Sequence, residues 1–92
     1  MTTPKKPPSL YRWSVAKEEN PASIILLRNG DFYETFYHDA EMCAKTLGLT
    51  LTTQSKRYDP NPIPMCSFPC HALDVYLAKL IQVGKNVFVE KD

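Results

Sequence analysis

Glycine is scarce: Gly30, Gly48 and Gly84 are the only ones in 92 residues. A phosphate-cradling P-loop needs a glycine, four residues, and then Gly-Lys followed by Ser or Thr. Here Gly84-Lys85 runs into Asn86, so the sequence lacks the loop of a P-loop ATPase. Long apolar runs are lacking too. None is longer than Ile24 to Leu27, which falls far short of the roughly 20 residues that cross a bilayer. No apolar segment follows Lys5 and Lys6, so no signal peptide is expected, and the expected location is cytoplasmic without membrane attachment. Cys43, Cys66 and Cys70 are the only cysteines, and three cannot all pair within one chain, which argues against a disulfide framework. Excess charge of one sign is also absent: 11 Lys and Arg stand against 10 Asp and Glu, a net charge of +1. Bulk electrostatics will not hold a nucleic acid, so any such binding must be local and geometric. His38 and His71 stand in no spacing that marks a nucleophile's base or a zincin site.

Apolar residues, at 43% with 11% aromatic, are plentiful enough to exclude a disordered polypeptide. A chain of this length makes one domain. Residues 1 to 8 carry three prolines and two lysines and read as a frayed tail, with the folded module over 9 to 92. Ser9 is expected to cap a short helix with Leu10, Trp13, Ala16 and Lys17 on one stripe, stopped by Asn20-Pro21. Ser23 to Arg28 reads as a buried strand. Asn29-Gly30 is a type I′ hairpin signal, and Asp31 to Tyr37 is the return strand. Asp39 is expected to cap a second helix with Ala40, Cys43, Ala44 and Leu47 on its apolar face, ended by Gly48. Leu49 to Thr53 alternates like a half-buried strand. Lys56 to Pro62 is a basic loop, and Ile63 to Ser67, flanked and interrupted by proline, reads as a short edge strand. Pro69 is expected to open the longest helix, His71 to Val83, with Leu73, Tyr76, Leu77 and Leu80 as its core stripe. Asn86 to Glu90 closes the chain as a last strand after Gly84. The fold expected is therefore α+β: a small single domain, one mixed sheet with a hairpin, and about three packed helices.

The return strand carries the chemistry. Side chains alternate across a strand, so Phe32 and Glu34 share one side and Tyr33 and Thr35 the other. An aromatic ring beside a carboxylate near a protruding tip suits a flat heterocycle: the ring stacks, and the carboxylate tests for a hydrogen-bond donor. The competing reading makes Phe32 core and Glu34 a solvated acid. Phe36 shares their side by strict alternation yet reads as core, which calls for a bulge or strong twist between them. Elsewhere, Cys66, Cys70 and His71, with Cys43 or His38, offer soft metal donors. Zinc sites favour a tighter paired spacing, and Cys43 on an apolar helix face behaves as a small hydrophobe. Asp31 invites a nuclease reading, but no second carboxylate pairs with it in the sequence. No metal, cofactor or catalytic residue is expected.

The run Arg28-Asn-Gly-Asp-Phe-Tyr-Glu-Thr-Phe-Tyr37 resembles the phenylalanine-x-glutamate signature of the N-terminal, mismatch-recognition domain of the MutS DNA mismatch repair family. The resemblance continues through Ala40, Leu49-Thr-Leu-Thr52, Pro62-Ile-Pro-Met65, Pro69-Cys-His-Ala72 and Tyr76-Leu-Ala-Lys-Leu80. It implies a small α+β domain that binds double-stranded DNA at mispaired or unpaired bases. By that resemblance Phe32 enters the minor groove and stacks on the defective base, and Glu34 hydrogen-bonds it while the duplex kinks. Lys56 and Arg57 match basic residues that approach the phosphate backbone, and Pro64 and Met65 match a segment lying close to the groove. Some positions depart from the family pattern: Asn29 replaces a residue that is usually Met, and Cys66 and Cys70 replace a small residue and a Tyr. The connector, lever, clamp and ATPase that accompany this domain in the family are not among these residues, and the Lys- and Pro-rich start reads as a natural terminus. The function expected is a non-enzymatic mismatch-reading module. The alternative keeps the fold without reading DNA and binds other repair proteins; self-association is a further expected contact.

Overall fold

Ile24 to Leu27 is apolar without a break because the strand that holds it is covered on both faces, the situation in which alternation disappears. A computed structural model describes residues 8–54 and 61–90. In chain order the elements are α1 (Ser9–Glu19), β1 (Ser23–Asn29), β2 (Phe32–Phe36), α2 (Tyr37–Leu47), β3 (Thr52–Gln54), β4 (Ile63–Pro69), a 3₁₀ turn (Cys70–Ala72), α3 (Leu73–Gln82) and β5 (Asn86–Val89). They form one five-stranded sheet in the order β3-β4-β2-β1-β5. β5 joins β1 in parallel and the other pairings are antiparallel, so the sheet is mixed and the domain is α+β.

Each face of the sheet has its own apolar cluster. On one, Ile24, Leu26, Tyr33, Cys66 and Phe68 meet Ala40, Cys43 and Leu47 of α2 and Leu80 of α3. On the other, Ile25, Leu27, Phe36 and Ile63 meet Leu10, Trp13 and Ala16 of α1. Two helices thus cover the first face, and α1 alone covers part of the second.

Several local expectations are corrected. The two-residue hairpin loop is Gly30-Asp31, since Asn29 already pairs with Phe32. Gly30 takes the positive φ of 63° and Asp31 does not, the φ pattern of a type II′ turn, in which only the first loop residue is left-handed. Ser9 and Asp39 are not caps. They lie inside their helices, and the residues at the cap positions, Pro8 and Phe36, provide no side-chain hydrogen bond. α2 starts two residues before Asp39 because Tyr37, at φ 54°, swings the chain from β2 straight into the helix. β4 is not an edge strand; it lies between β3 and β2. Its pairs with β2 run from Met65 to Pro69, so Pro64 lies beyond that ladder and its missing N–H interrupts nothing there. The edge on that side is β3, shorter than expected and exposed along its length. Pro69 is extended and ends β4, after which the 3₁₀ turn delays α3 to Leu73. In α3, Leu80 is fully buried while Leu73, Tyr76 and Leu77 are half-buried. The tail expected over 1 to 8 lies, Pro8 apart, outside the described residues.

Candidate nucleic-acid interface

Phe32, Glu34 and Phe36 occupy one face of β2, as alternation requires. No bulge separates them. The register with β4 is unbroken from Phe32–Pro69 through Glu34–Ser67 to Phe36–Met65. What differs along the strand is cover. α1 packs over the far end, where the Trp13 and Phe36 rings meet edge to face at 6.4 Å. Phe36 is accordingly 0% exposed, Glu34 is half-buried, and Phe32, beyond the helix, is 47% exposed. One strand face therefore grades from core to open surface within five residues, and the ring nearest the hairpin tip is available for stacking.

The tip is braced. The Cys70 N–H donates to the Asp31 carbonyl at 2.8 Å, which ties the hairpin to the end of β4. Arg28 Nε donates to the Gly30 carbonyl at 3.1 Å. Phe32 is thus an exposed side chain on a backbone paired on both sides, with Asn29 opposite it on β1 and Pro69 opposite it on β4. A probe on such a scaffold loses little conformational freedom on binding.

Between the start of α1 and this uncovered sheet face lies an open groove lined by Ser9, Arg12, Arg28, Asn29, Glu34, Gln54 and Met65, among others. Ser9 Oγ donates to Glu34 Oε1 at 2.5 Å. The Arg12 guanidinium pairs with the Glu90 carboxylate and donates to the Arg28 carbonyl at 3.1 Å, which holds the beginning of α1 against β1. Met65 faces the groove. Pro64, one residue earlier, projects by alternation to the opposite side of β4. Lys56 and Arg57 lie outside the described residues. Ser9, Arg12 and Gln54 were not expected at the site from the sequence, and Asn29 was marked only as a turn residue and a departure from the family pattern. They come from three separate elements, and only the sheet register and the crossing of α1 bring them together.

Comparison with known proteins matches residues 7–92 to the MutS domain I family. The chain belongs to that family. It is 43% identical over 89 residues to the DNA mismatch repair protein MutS of Desulfatibacillum aliphaticivorans, covering 97% of this chain and 10% of that protein. Against the DNA mismatch repair protein MutS of Granulibacter bethesdensis it is 42% identical over 82 residues, covering 89% of this chain and 9% of that protein. The chain spans about a tenth of the length of these curated relatives.

In this MutS domain I the cysteines divide between core and tip. Cys43 and Cys66 are buried in the cluster beneath α2 and α3. Cys70 is half-buried beside the hairpin, its Sγ 3.8 Å from the Gly30 carbonyl. Burial pushes the Cys43 thiol up to about 12, with smaller contributions from Cys66 and Asp39, and burial also raises Cys66. A thiol titrating higher in the folded chain than its ordinary 9.0 adds stability below that value, and this stability is lost as pH rises from about 9 toward 12. In the native protein at pH 8, iodoacetamide is therefore expected to alkylate Cys70 and spare the other two, whereas all three react in denaturant. Mass spectrometry of the labelled protein reads the difference. No helix among the described residues is long and apolar enough to cross a membrane.

Proposed function

We propose that this domain is a non-enzymatic reader of mispaired or unpaired bases in double-stranded DNA, acting in the cytoplasm as part of mismatch repair. One observation carries the reading: Phe32 is 47% exposed on a strand whose Phe36, on the same face, is wholly buried. In this reading Phe32 enters the minor groove as an apolar wedge, partly unstacks a base step and bends the duplex there. Glu34 accepts a hydrogen bond from the displaced base. Selectivity arises because a mispaired step deforms more cheaply than a paired one, so no base code is needed. Met65 borders the groove surface, Pro64 shapes the strand that presents it, and Lys56 and Arg57 approach the phosphates. Membership in the MutS domain I family and similarity to DNA mismatch repair proteins support this assignment.

Magnitudes set the scale. A stack of roughly 1–3 kcal/mol opposes unstacking of a few kcal/mol. With a net charge of +1, few counterions are released, and the dissociation constant is expected near the weak end of non-specific binding, about 10⁻⁴ M. Nuclear magnetic resonance titration suits that range. The labelled domain, at low salt, is titrated with a duplex holding a G·T pair or a single-base bulge and with its perfectly paired counterpart. Shifts at Phe32 and Glu34 that favour the defective duplex are expected. Phe32→Ala should weaken binding to that duplex roughly 5- to 150-fold, the span of one lost stack. Silence with both duplexes, or equal shifts with each, would sink the reading and direct attention to protein partners.

A further inference from the structure

We infer that Ser9 is a positioning residue for Glu34: from the first turn of α1, its hydroxyl fixes the carboxylate in the orientation that meets a displaced base. This inference rests on the reading just proposed. Ser9 Oγ and Glu34 Oε1 lie 2.5 Å apart although 25 residues separate them in sequence. That distance is typical of a hydroxyl donating to an ionised carboxylate. Among the described residues it is the one hydrogen bond the Glu34 side chain makes.

The start of α1 supplies a second reason for the contact. The helix has no acidic residue in its first turn and no side-chain cap. Its first turn closes with the Arg12 N–H donating to the Pro8 carbonyl at 3.1 Å, which leaves the preceding N–H groups directed toward its N-terminal end. A helix start favours a nearby negative charge, and Glu34 brings one from the sheet. Ser9 is the link that holds it there. A glutamate on an open sheet face otherwise rotates about its side-chain bonds, and ordering it would cost affinity at the moment of binding. With one oxygen held by Ser9, the plane of the carboxylate is set in advance and Oε2 is left as the acceptor for the base. The Arg12 contacts with Glu90 and the Arg28 carbonyl keep this end of α1 against β1. The position of α1 is thereby coupled to discrimination by a helix that carries neither Phe32 nor Glu34.

Three variants of the full chain test this. The ratio of affinities for the G·T duplex over the paired duplex is the functional readout, and the Glu34 carboxyl carbon-13 signal at pH 7 without DNA is the direct one. Ser9→Ala should move that signal and lower the ratio about fivefold, the effect of one ordinary hydrogen bond. Ser9→Thr, which keeps the hydroxyl, should restore both. Ser9→Asp places a second carboxylate against Glu34 while giving the helix start a favourable charge. Its melting temperature should therefore stay at or above the wild-type value while the ratio falls toward one, which a merely structural role would not produce. If the wild type shows no preference for the defective duplex, the DNA reading itself fails and this role fails with it. If the wild type discriminates but Ser9→Ala leaves the carbon-13 signal or the ratio unchanged, or Ser9→Asp keeps full discrimination, the Ser9 role alone is overturned.

Discussion

Phe36→Ala is expected to destabilise the domain by about 3–5 kcal/mol, the usual cost of removing a fully buried ring and leaving a cavity. Phe36 is 0% exposed and meets Trp13 edge to face, in the cluster that joins α1 to the sheet. A small domain has only about 5–15 kcal/mol of net stability, so this single change removes a large share of it. At roughly 4–8 °C per kcal/mol for a chain of this size, the melting temperature should fall by some tens of degrees. Phe32→Ala is the matched control. It removes the same ring from the same strand and the same face, four residues away, but from a site 47% exposed. Its expected cost is below about 1 kcal/mol, since surface substitutions without buried partners rarely exceed that. Urea melts of the two variants with wild type measure both values. If the two alanine variants were equally destabilised, Phe32 would be a structural ring and the stacking role would have to be abandoned.

This pair also shows which features were legible in the sequence. The side-chain period of a strand put Phe32, Glu34 and Phe36 on one face correctly. It gave no account of why one ring is buried and another open, because that depends on where α1, from a different part of the chain, stops crossing the sheet. A bulge or strong twist was expected where partial cover is the answer. Apolar runs were reliable guides for the same reason that loop detail was not. Ile24 to Leu27 is buried on both faces and could hardly be anything but a central strand, whereas a shift of one residue in the Gly30-Asp31 turn changes little in composition. Proline misled at β4. The rule that it marks an edge holds for ladder positions that need a donor, and Pro64 lies outside the ladder with β2. At the candidate site, Phe32 and Glu34 were accessible through their short motif. Ser9 was visible only as a helix start, and its hydroxyl turns to the sheet instead of to its own backbone.

Asp39→Ala should be comparably damaging, for an electrostatic reason. Asp39 is 2% exposed. One carboxylate oxygen accepts the Ile25 N–H at 3.1 Å, and the other accepts from Lys17 Nζ at 2.9 Å. Lys17 Nζ also donates to the Ser23 carbonyl at 2.7 Å. The carboxylate therefore ties the last turns of α1, the start of β1 and the first turn of α2 at one point. Alanine leaves the N–H of a wholly buried residue without its acceptor and strips the ammonium of its counter-charge. Breaking a buried pair from one side costs about 3–5 kcal/mol; the Lys17 side chain is 28% exposed and can turn partly to water, which places the expected value near 3 kcal/mol. Asp39→Asn retains an acceptor and should cost about half as much. Lys17→Ala should cost a similar amount to Asp39→Ala, about 3 kcal/mol, because it leaves the Asp39 carboxylate, 3% exposed, without its counter-charge. A double-mutant cycle in urea separates the Lys17 contribution from that of the Ile25 N–H. Equal losses for Asp39→Ala and Asp39→Asn would show that charge governs the site, and the N–H argument would then be wrong. The same variants bear on recognition. α1 is held by Asp39 near one end and presents Ser9 to Glu34 at the other, so loosening the first contact should reduce discrimination between defective and paired duplexes at temperatures where the domain is still folded.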